Sequence, residues 1–121
     1  MINTATNTVV GSPIPVGSRP FGIAVAPNGS AVYVANNLGN SVSVIDTATK
    51  TVSATIPVGL APQGLAITPN GQFVYVANFT SNTVSKISTV SNTVVTVIPT
   101  TIATGLGSLS ITPDGKFVWC S

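Results

Sequence analysis

The hydrophobic positions of the chain come in short runs separated by clusters of turn residues. Between residues 22 and 59 the runs read GIAVA, AVYVA, SVSVI and TVSATI. Short runs of this kind, rich in β-branched residues and bounded by turn signals, are typical of strands. No segment shows the i, i+3, i+4 apolar spacing of an amphipathic helix. The pattern therefore predicts an all-β chain with four strands in each unit.

The same unit returns along the sequence at a nearly fixed offset. Gly64 follows Gly22 by 42 positions, and this offset also joins Pro27 with Pro69, Gly29 with Gly71, Tyr33 with Tyr75, Asn36 with Asn78 and Val42 with Val84. A further, partial copy begins near the C-terminal end, where Pro113-Asp114-Gly115 repeats Pro69-Asn70-Gly71. Four strands that repeat every ~40–45 residues are typical of the blades of a β-propeller.

The repeats divide the chain into one β-propeller-repeat domain over residues 1–121. We predict a partial blade over 1–17, complete blades over 18–59 and 60–105, and a partial blade over 106–121. The chain thus amounts to about three blades, whereas propellers usually have about four to eight. Two interpretations stay open: an incomplete propeller cut from a longer protein, or half of a six-bladed ring closed by a homodimer. The first is favoured because the two partial blades lack the segment equivalent to residues 36–43.

The second and fourth strands of the unit are predicted to differ in burial. The second strand, residues 31–35, is nearly all apolar and is predicted to be buried on both faces. The fourth strand, residues 51–56, is more polar and is predicted to lie at an outer edge. The glycines near the ends of the units are expected to form tight turns between blades, at Gly17, Gly59, Gly64 and Gly107.

Two further positions of the second strand predict packing between blades. Tyr33, Tyr75 and Trp119 share one strand position and are expected to pack between neighbouring blade faces, although a stacking platform for a ligand is the alternative. Cys120 follows Trp119, at the position where the other units have valine, and is therefore expected to be a small core residue.

The composition excludes several classes of partner. Only 5% of the residues are charged, against about 25% in an average chain. Four scattered Lys and Arg residues and a net charge of +2 do not form the clustered basic face of a nucleic-acid-binding protein. No run approaches the ~18 apolar residues of a membrane span, and the N-terminal residues lack the features of a signal peptide. We expect no nucleic-acid partner and no membrane span.

The residue types that usually carry catalysis are scarce in the sequence. The chain has no His and no Glu, and a single Cys, so the commonest general base and a zinc ligand set are both missing. Asp46 and Asp114 occupy different positions in their units and are interpreted as turn residues. Asn36 and Asn78 could face a ligand but are expected to bond backbone groups at the strand ends. We therefore predict no enzyme activity, no cofactor, and no catalytic, cofactor-binding or metal-binding residues.

The residues around the second strand resemble a known repeat family. Tyr33-Val34-Ala35-Asn36 and Tyr75-Val76-Ala77-Asn78 each follow a Pro-Asn-Gly turn and precede an Asn-x-Val-Ser segment. These features resemble the YVTN β-propeller repeat, with Ala in place of Thr and a larger departure at Trp119-Cys120-Ser121. The resemblance implies a surface-layer-type propeller: a non-catalytic scaffold or interaction module, extracellular or at the cell surface, with a protein or cell-surface partner.

Two alternatives accompany this interpretation. The first is a piece of a propeller enzyme or of a cofactor-binding propeller, lactonase-like or of the haem d1 type, whose active residues lie outside this chain. The second is a binding module whose ligand sits at the loops over residues 36–40 and 78–82, because loops on rigid scaffolds often carry binding functions.

Overall fold

A computed structural model describes residues 1–101 and 105–121 of the chain. Residues 102–104, which the sequence analysis placed at the end of the unit over 60–105, lie outside the described residues. All regular elements of the described residues are strands: β1 (Ile2–Asn3), β2 (Thr8–Val9), β3 (Pro20–Val25), β4 (Ala31–Asn36), β5 (Ser41–Asp46), β6 (Thr51–Pro57), β7 (Pro62–Ile67), β8 (Phe73–Asn78), β9 (Thr83–Ser88), β10 (Thr93–Pro99), β11 (Leu109–Ile111) and β12 (Val118–Cys120).

The strands form two complete antiparallel sheets and two small ones. The first complete sheet has the order β3-β4-β5-β6 and the second the order β7-β8-β9-β10, while β1 pairs with β2 and β11 with β12. Within each sheet consecutive strands are neighbours, so short hairpin turns are enough to connect them. The predicted all-β fold with four-stranded antiparallel sheets is confirmed, and these sheets have the arrangement of partial propeller blades.

The turn after the first strand of each unit is built in the same way three times. Gly29, Gly71 and Gly115 have φ of 74°, 73° and 74°, a conformation that glycine adopts without strain. The residue before each glycine accepts a hydrogen bond from the backbone N–H two positions further on, at 3.0 Å for Asn28, Asn70 and Asp114. An aspartate can therefore replace asparagine in this turn, because only the side-chain oxygen is used.

The main hydrophobic core lies between the two complete sheets. It contains seven buried side chains from β4, β5 and β6 and from β8 and β9: Tyr33, Val42, Val44, Ile56, Val74, Val76 and Ile87. Leu65 and Ile67 of β7 pack against this cluster. Strand β4 is largely buried and β6 is mostly exposed at the sheet edge, as the sequence predicts. Removal of this apolar surface from water is what holds the sheets face to face.

Glycines allow the first strands of neighbouring units, β3, β7 and β11, to lie side by side. A Cβ atom at Gly22 would overlap the carbonyl oxygen of Gln63, and one at Gly64 would lie 2.7 Å from that of Gly107. Gly59 approaches the side-chain Cγ of Asn78 in the same way, at 2.7 Å from its hypothetical Cβ. None of these glycines has a positive φ.

The expectation of tight turns agrees with Gly17 and Gly59, which lie in bends between the sheets, and is corrected for Gly64, which lies within β7, and for Gly107, which lies in neither a turn nor a bend. None of the four has a positive φ, and each would place an added Cβ within 3.0 Å of a neighbouring atom. Gly17, Gly59 and Gly64 leave no room for a Cβ atom, because the side chains of Asn36 and Asn78 and the Gly107 carbonyl lie directly over them, whereas Gly107 has only the flexible Gln63 side chain nearby.

The C-terminal strand departs from the predicted burial. Tyr33 is 3% exposed, but Trp119 at the equivalent position is 71% exposed, and Cys120 is exposed as well. The physical reason is that β11 and β12 form a two-stranded sheet, and no further sheet covers it among the described residues. Residues 1–101 and 105–121 contain no helix that is long and apolar enough to cross a membrane.

Substitution of Gly22 by Ala tests the close approach of β3 and β7. The added methyl group would collide with the Gln63 carbonyl, which belongs to the backbone and cannot rotate away. We expect a loss of about 1–3 kcal/mol of unfolding free energy, measured by urea denaturation. The control is Val90→Ala, because Val90 is 90% exposed and its truncation should change the stability by less than about 0.5 kcal/mol. Full stability of the Gly22→Ala protein would refute the close approach.

Candidate functional site between the first two sheets

A cavity of about 460 Å³ opens between the two complete sheets, at the end where their Pro-Asn-Gly turns lie. Strands β4, β5 and β6 of the first sheet form one wall, and turns of the second sheet form the other. The polar side chains that line it include Asn28, Tyr33, Asp46, Asn70 and Asn92. The sequence analysis did not find this site, because its residues come from two units and lie at separate turns.

Tyr33 contributes a buried phenol to this cavity. The residue is 3% exposed, and its hydroxyl has no hydrogen-bond partner among the described residues. Burial raises the pKa of this phenol above its ordinary value, because the charged phenolate would lose its hydration. The side chain therefore stays neutral and can both donate and accept a hydrogen bond. The expected packing between sheets is also found, since the ring belongs to the main core.

Asp46 supplies the carboxylate of the cavity. Its Oδ1 accepts hydrogen bonds from the backbone N–H groups of Ala48 and Thr49, at 2.8 and 3.2 Å. These bonds agree with the interpretation of Asp46 as a turn residue, and they leave its second oxygen without a protein partner. Asp114 lines a different cavity, so the structure does not bring the two carboxylates together.

A second cavity, of about 320 Å³, occupies the equivalent place one unit further on. Phe73 stands there at the position of Ala31, and Lys86 at the position of Val44. The Nζ atom of Lys86 lies 4.1 Å from the centre of the Phe73 ring, a favourable cation–π geometry. The second cavity is thus narrower and contains a positive charge, which distinguishes it from the first.

Asn36 and Asn78 do not face either cavity. Both are fully buried, and the side-chain N–H₂ of Asn36 donates to the hydroxyls of Ser41 and Ser43 at 3.1 and 2.9 Å. Asn78 makes the equivalent bonds to Thr83 and Ser85. The expectation of backbone bonding is therefore corrected: these side chains bind hydroxyls on the next strand.

No cluster of metal ligands is found within residues 1–101 and 105–121, where no three His, Cys, Asp or Glu side chains come together. The cavity between the first two sheets offers one carboxylate, a phenol and several amides. Such groups bind hydrogen-bonding ligands.

Comparison with known proteins identifies the family. The blades define the chain as part of a β-propeller, and the family model described as "Lactonase, 7-bladed beta-propeller" matches residues 4–98. The chain belongs to this lactonase family of β-propellers. Among functionally curated proteins, none matches the sequence.

Solved structures agree with this fold. Hydrazine synthase of Kuenenia stuttgartiensis superposes with a TM-score of 0.82 and 29% identity, over 94% of this chain and 32% of that one. A functionally unknown protein from Desulfotomaculum acetoxidans DSM 771 has a TM-score of 0.82 and 22% identity, over 99% of this chain and 40% of that one. The chain therefore spans about a third of the length of the first structure and two fifths of the second, and the second likeness shows the fold alone.

These findings correct one prediction and narrow another. The prediction that the chain is not an enzyme is wrong, because the lactonase family and the hydrazine synthase neighbour point to an enzyme-related propeller family. The resemblance to a β-propeller repeat is confirmed, but its surface-layer assignment gains no support. The scarcity of acids and His misled the prediction, since a few blades of a propeller enzyme need not carry its reacting groups.

Substitution of Asn78 by Ala tests the buried hydrogen bonds. It removes two bonds and leaves the hydroxyls of Thr83 and Ser85 without their donor. We expect a loss of about 2–3 kcal/mol of unfolding free energy, measured by thermal and urea denaturation. Thr80→Ala is the control, because Thr80 is exposed and its side chain makes no bond. Equal stability of the two variants would contradict the role of Asn78.

The pKa of Asp114 provides a test of its turn. The Thr112 hydroxyl donates to its carboxylate at 2.6 Å and the Lys116 N–H at 3.0 Å, and these bonds lower the pKa below its ordinary value. We expect Thr112→Val to raise the pKa, measured from the side-chain carboxyl shift in an NMR pH titration. Thr96→Val, on exposed β10, should leave it unchanged.

The sign of the pH effect follows from this direction. A lowered folded-state pKa means that the carboxylate stabilises the turn above the unfolded pKa, and that this contribution is lost as the pH falls through the folded value. An Asp114 pKa that does not respond to Thr112→Val would contradict the assigned bond.

Proposed function

We propose that the chain forms part of the blade wall of a lactonase-type propeller enzyme and that the reacting acid and base groups lie on residues outside these 121. The observation that carries the proposal is the family match over residues 4–98. The likeness to hydrazine synthase supports the same setting, since that protein too is an enzyme by its name and its chain is about three times as long.

The chemistry of the chain supports a contribution to the wall of the enzyme. General acid–base catalysis requires groups within hydrogen-bond reach of the same proton. The sequence offers no His and no Glu, and its two carboxylates, Asp46 and Asp114, line separate cavities. Opening of a cyclic ester would thus depend on groups that other blades supply, while these blades fix their positions.

The packing of the sheets suits a positioning role. A catalytic constellation must be held to within about 0.5 Å, and rigid strands achieve this better than loops. Gly22 and Gly64 bring neighbouring strands into direct backbone contact, and Asn36 and Asn78 tie the strand ends together from within. Movement of one blade against the next would break the contacts at Gly22 and Gly64, whereas the bonds of Asn36 and Asn78 stiffen each blade internally.

Assay of lactone hydrolysis tests the proposal. The polypeptide as its gene encodes it and the isolated residues 1–121 are each supplied with a five-membered and a six-membered lactone. Hydrolysis opens the ring to a hydroxy acid and releases one proton, which a pH-stat records. We expect the encoded polypeptide to exceed the buffer rate by at least about 100-fold, a typical contribution of one acid–base step, and residues 1–121 alone to match the buffer.

Two outcomes would overturn the assignment. If the encoded polypeptide hydrolyses neither lactone, the lactonase-type activity is wrong. If residues 1–121 alone reach the rate of the encoded polypeptide, the placement of the reacting groups outside this chain is wrong. Circular dichroism of both samples shows that each is folded when it is assayed.

A further inference from the structure

We propose that the cavity between the first two sheets binds a small neutral polyhydroxy compound, such as a monosaccharide or a cyclic polyol, through Tyr33, Asp46 and Asn70. This site is independent of the proposed lactonase-type activity, because it lies in the wall between two blades and requires no reacting group. The argument rests on the unused hydrogen-bonding groups of the cavity, on its charge and on its shape.

The phenol of Tyr33 is the first indication of a ligand. Tyr33 lines the cavity, and its hydroxyl makes no hydrogen bond to the described residues. Although the residue as a whole is only 3% exposed, its oxygen keeps accessible surface and can therefore meet a ligand that enters the cavity. A ligand hydroxyl placed there would complete the hydrogen bonding, as donor or as acceptor.

Asp46 and Asn70 offer complementary groups on opposite walls. One oxygen of Asp46 is used by its own turn, and the second is free to accept hydrogen bonds. The side-chain oxygen of Asn70 accepts from the Thr68 hydroxyl and the Gln72 N–H, so its N–H₂ group remains free to donate. A compound with several adjacent hydroxyls can satisfy a carboxylate acceptor and an amide donor at the same time.

The charge of the cavity excludes ions as the favoured ligands. Asp46 lines it and no Lys or Arg does, so a phosphate or carboxylate would be repelled. A divalent cation would need several converging oxygens, whereas the turn already uses the side-chain oxygens of Asn28 and Asn70. A neutral ligand avoids both conflicts.

The shape of the cavity accommodates a ring with one apolar face. Ala31 and Val44 line it beside the Tyr33 ring, and a sugar or cyclitol presents C–H groups that can pack there. Its volume of about 460 Å³ falls within the ~300–1,000 Å³ usual for small-molecule sites. In the second cavity the larger side chains of Phe73 and Lys86 take the places of Ala31 and Val44. The first cavity therefore has the larger free volume, about 460 Å³ against about 320 Å³.

Titration of the ¹⁵N-labelled 121-residue chain with D-glucose and with myo-inositol tests the proposal by NMR. We expect saturable shifts at the amides around Tyr33, Asp46 and Asn70, with a Kd on the order of 1 mM, as suits a ligand of this size. Sodium D-glucuronate, which has the same ring but a negative charge, should bind at least about fivefold more weakly.

Two variants separate binding from folding. Ala31→Phe introduces the residue that the next unit has at this position, so the strand accepts it, and the ring should fill the cavity and weaken binding at least tenfold. Tyr33→Phe removes only the hydroxyl and should weaken binding about fivefold. Asp114→Asn is the matched control, because it changes the carboxylate of the second cavity and should leave the Kd unchanged.

Three results would overturn the proposal. They are the absence of saturable shifts with both polyols up to about 50 mM, far above the expected Kd; undiminished binding by folded Ala31→Phe and Tyr33→Phe chains; or tighter binding of glucuronate than of glucose. Lactone hydrolysis by the encoded polypeptide bears on none of these outcomes, so the two proposals stand or fall separately.

Discussion

The close packing of one four-stranded sheet on the next is the interaction on which the rest of this structure depends. The main core draws on β4, β5 and β6 from one sheet and on β8 and β9 from the other, so each sheet buries its apolar side chains against its neighbour. The contact is close because Gly22 and Gly64 leave no Cβ between adjacent first strands. Where no sheet covers the strand, as at Trp119, the same position is open to solvent.

The cavities follow from small differences imposed on this repeated packing. Every unit has the same turns and the same register, so each pair of neighbours leaves a space at the Pro-Asn-Gly end. The contents of that space depend on two positions of the unit. Alanine and valine leave the first cavity open, while Phe73 and Lys86 occupy much of the second. Repetition thus provides the scaffold, and individual substitutions give each interface its own chemistry.

The family assignment separates the class of this protein from the composition of the chain. Function depends on particular sites that a fold carries, and the fold alone does not reveal them. This chain has two acidic residues and no His. Its composition therefore indicates which groups these blades carry and does not predict the activity of the family. The prediction of a non-catalytic module failed at this step, because it extended the composition of a few blades to the class of protein.

The sequence by itself determined the strands, their turns and their antiparallel order, because these depend on local spacing: a 42-residue repeat, a Pro-Asn-Gly or Pro-Asp-Gly turn before each second strand, and a polar fourth strand at the outer edge. Tertiary structure alone decided what the glycines and polar residues do. Gly59 is required for space beside Asn78, and Tyr33 and Asn70, from different units, line one cavity. The distance between two sheets sets both features, and no local pattern in the chain encodes that distance.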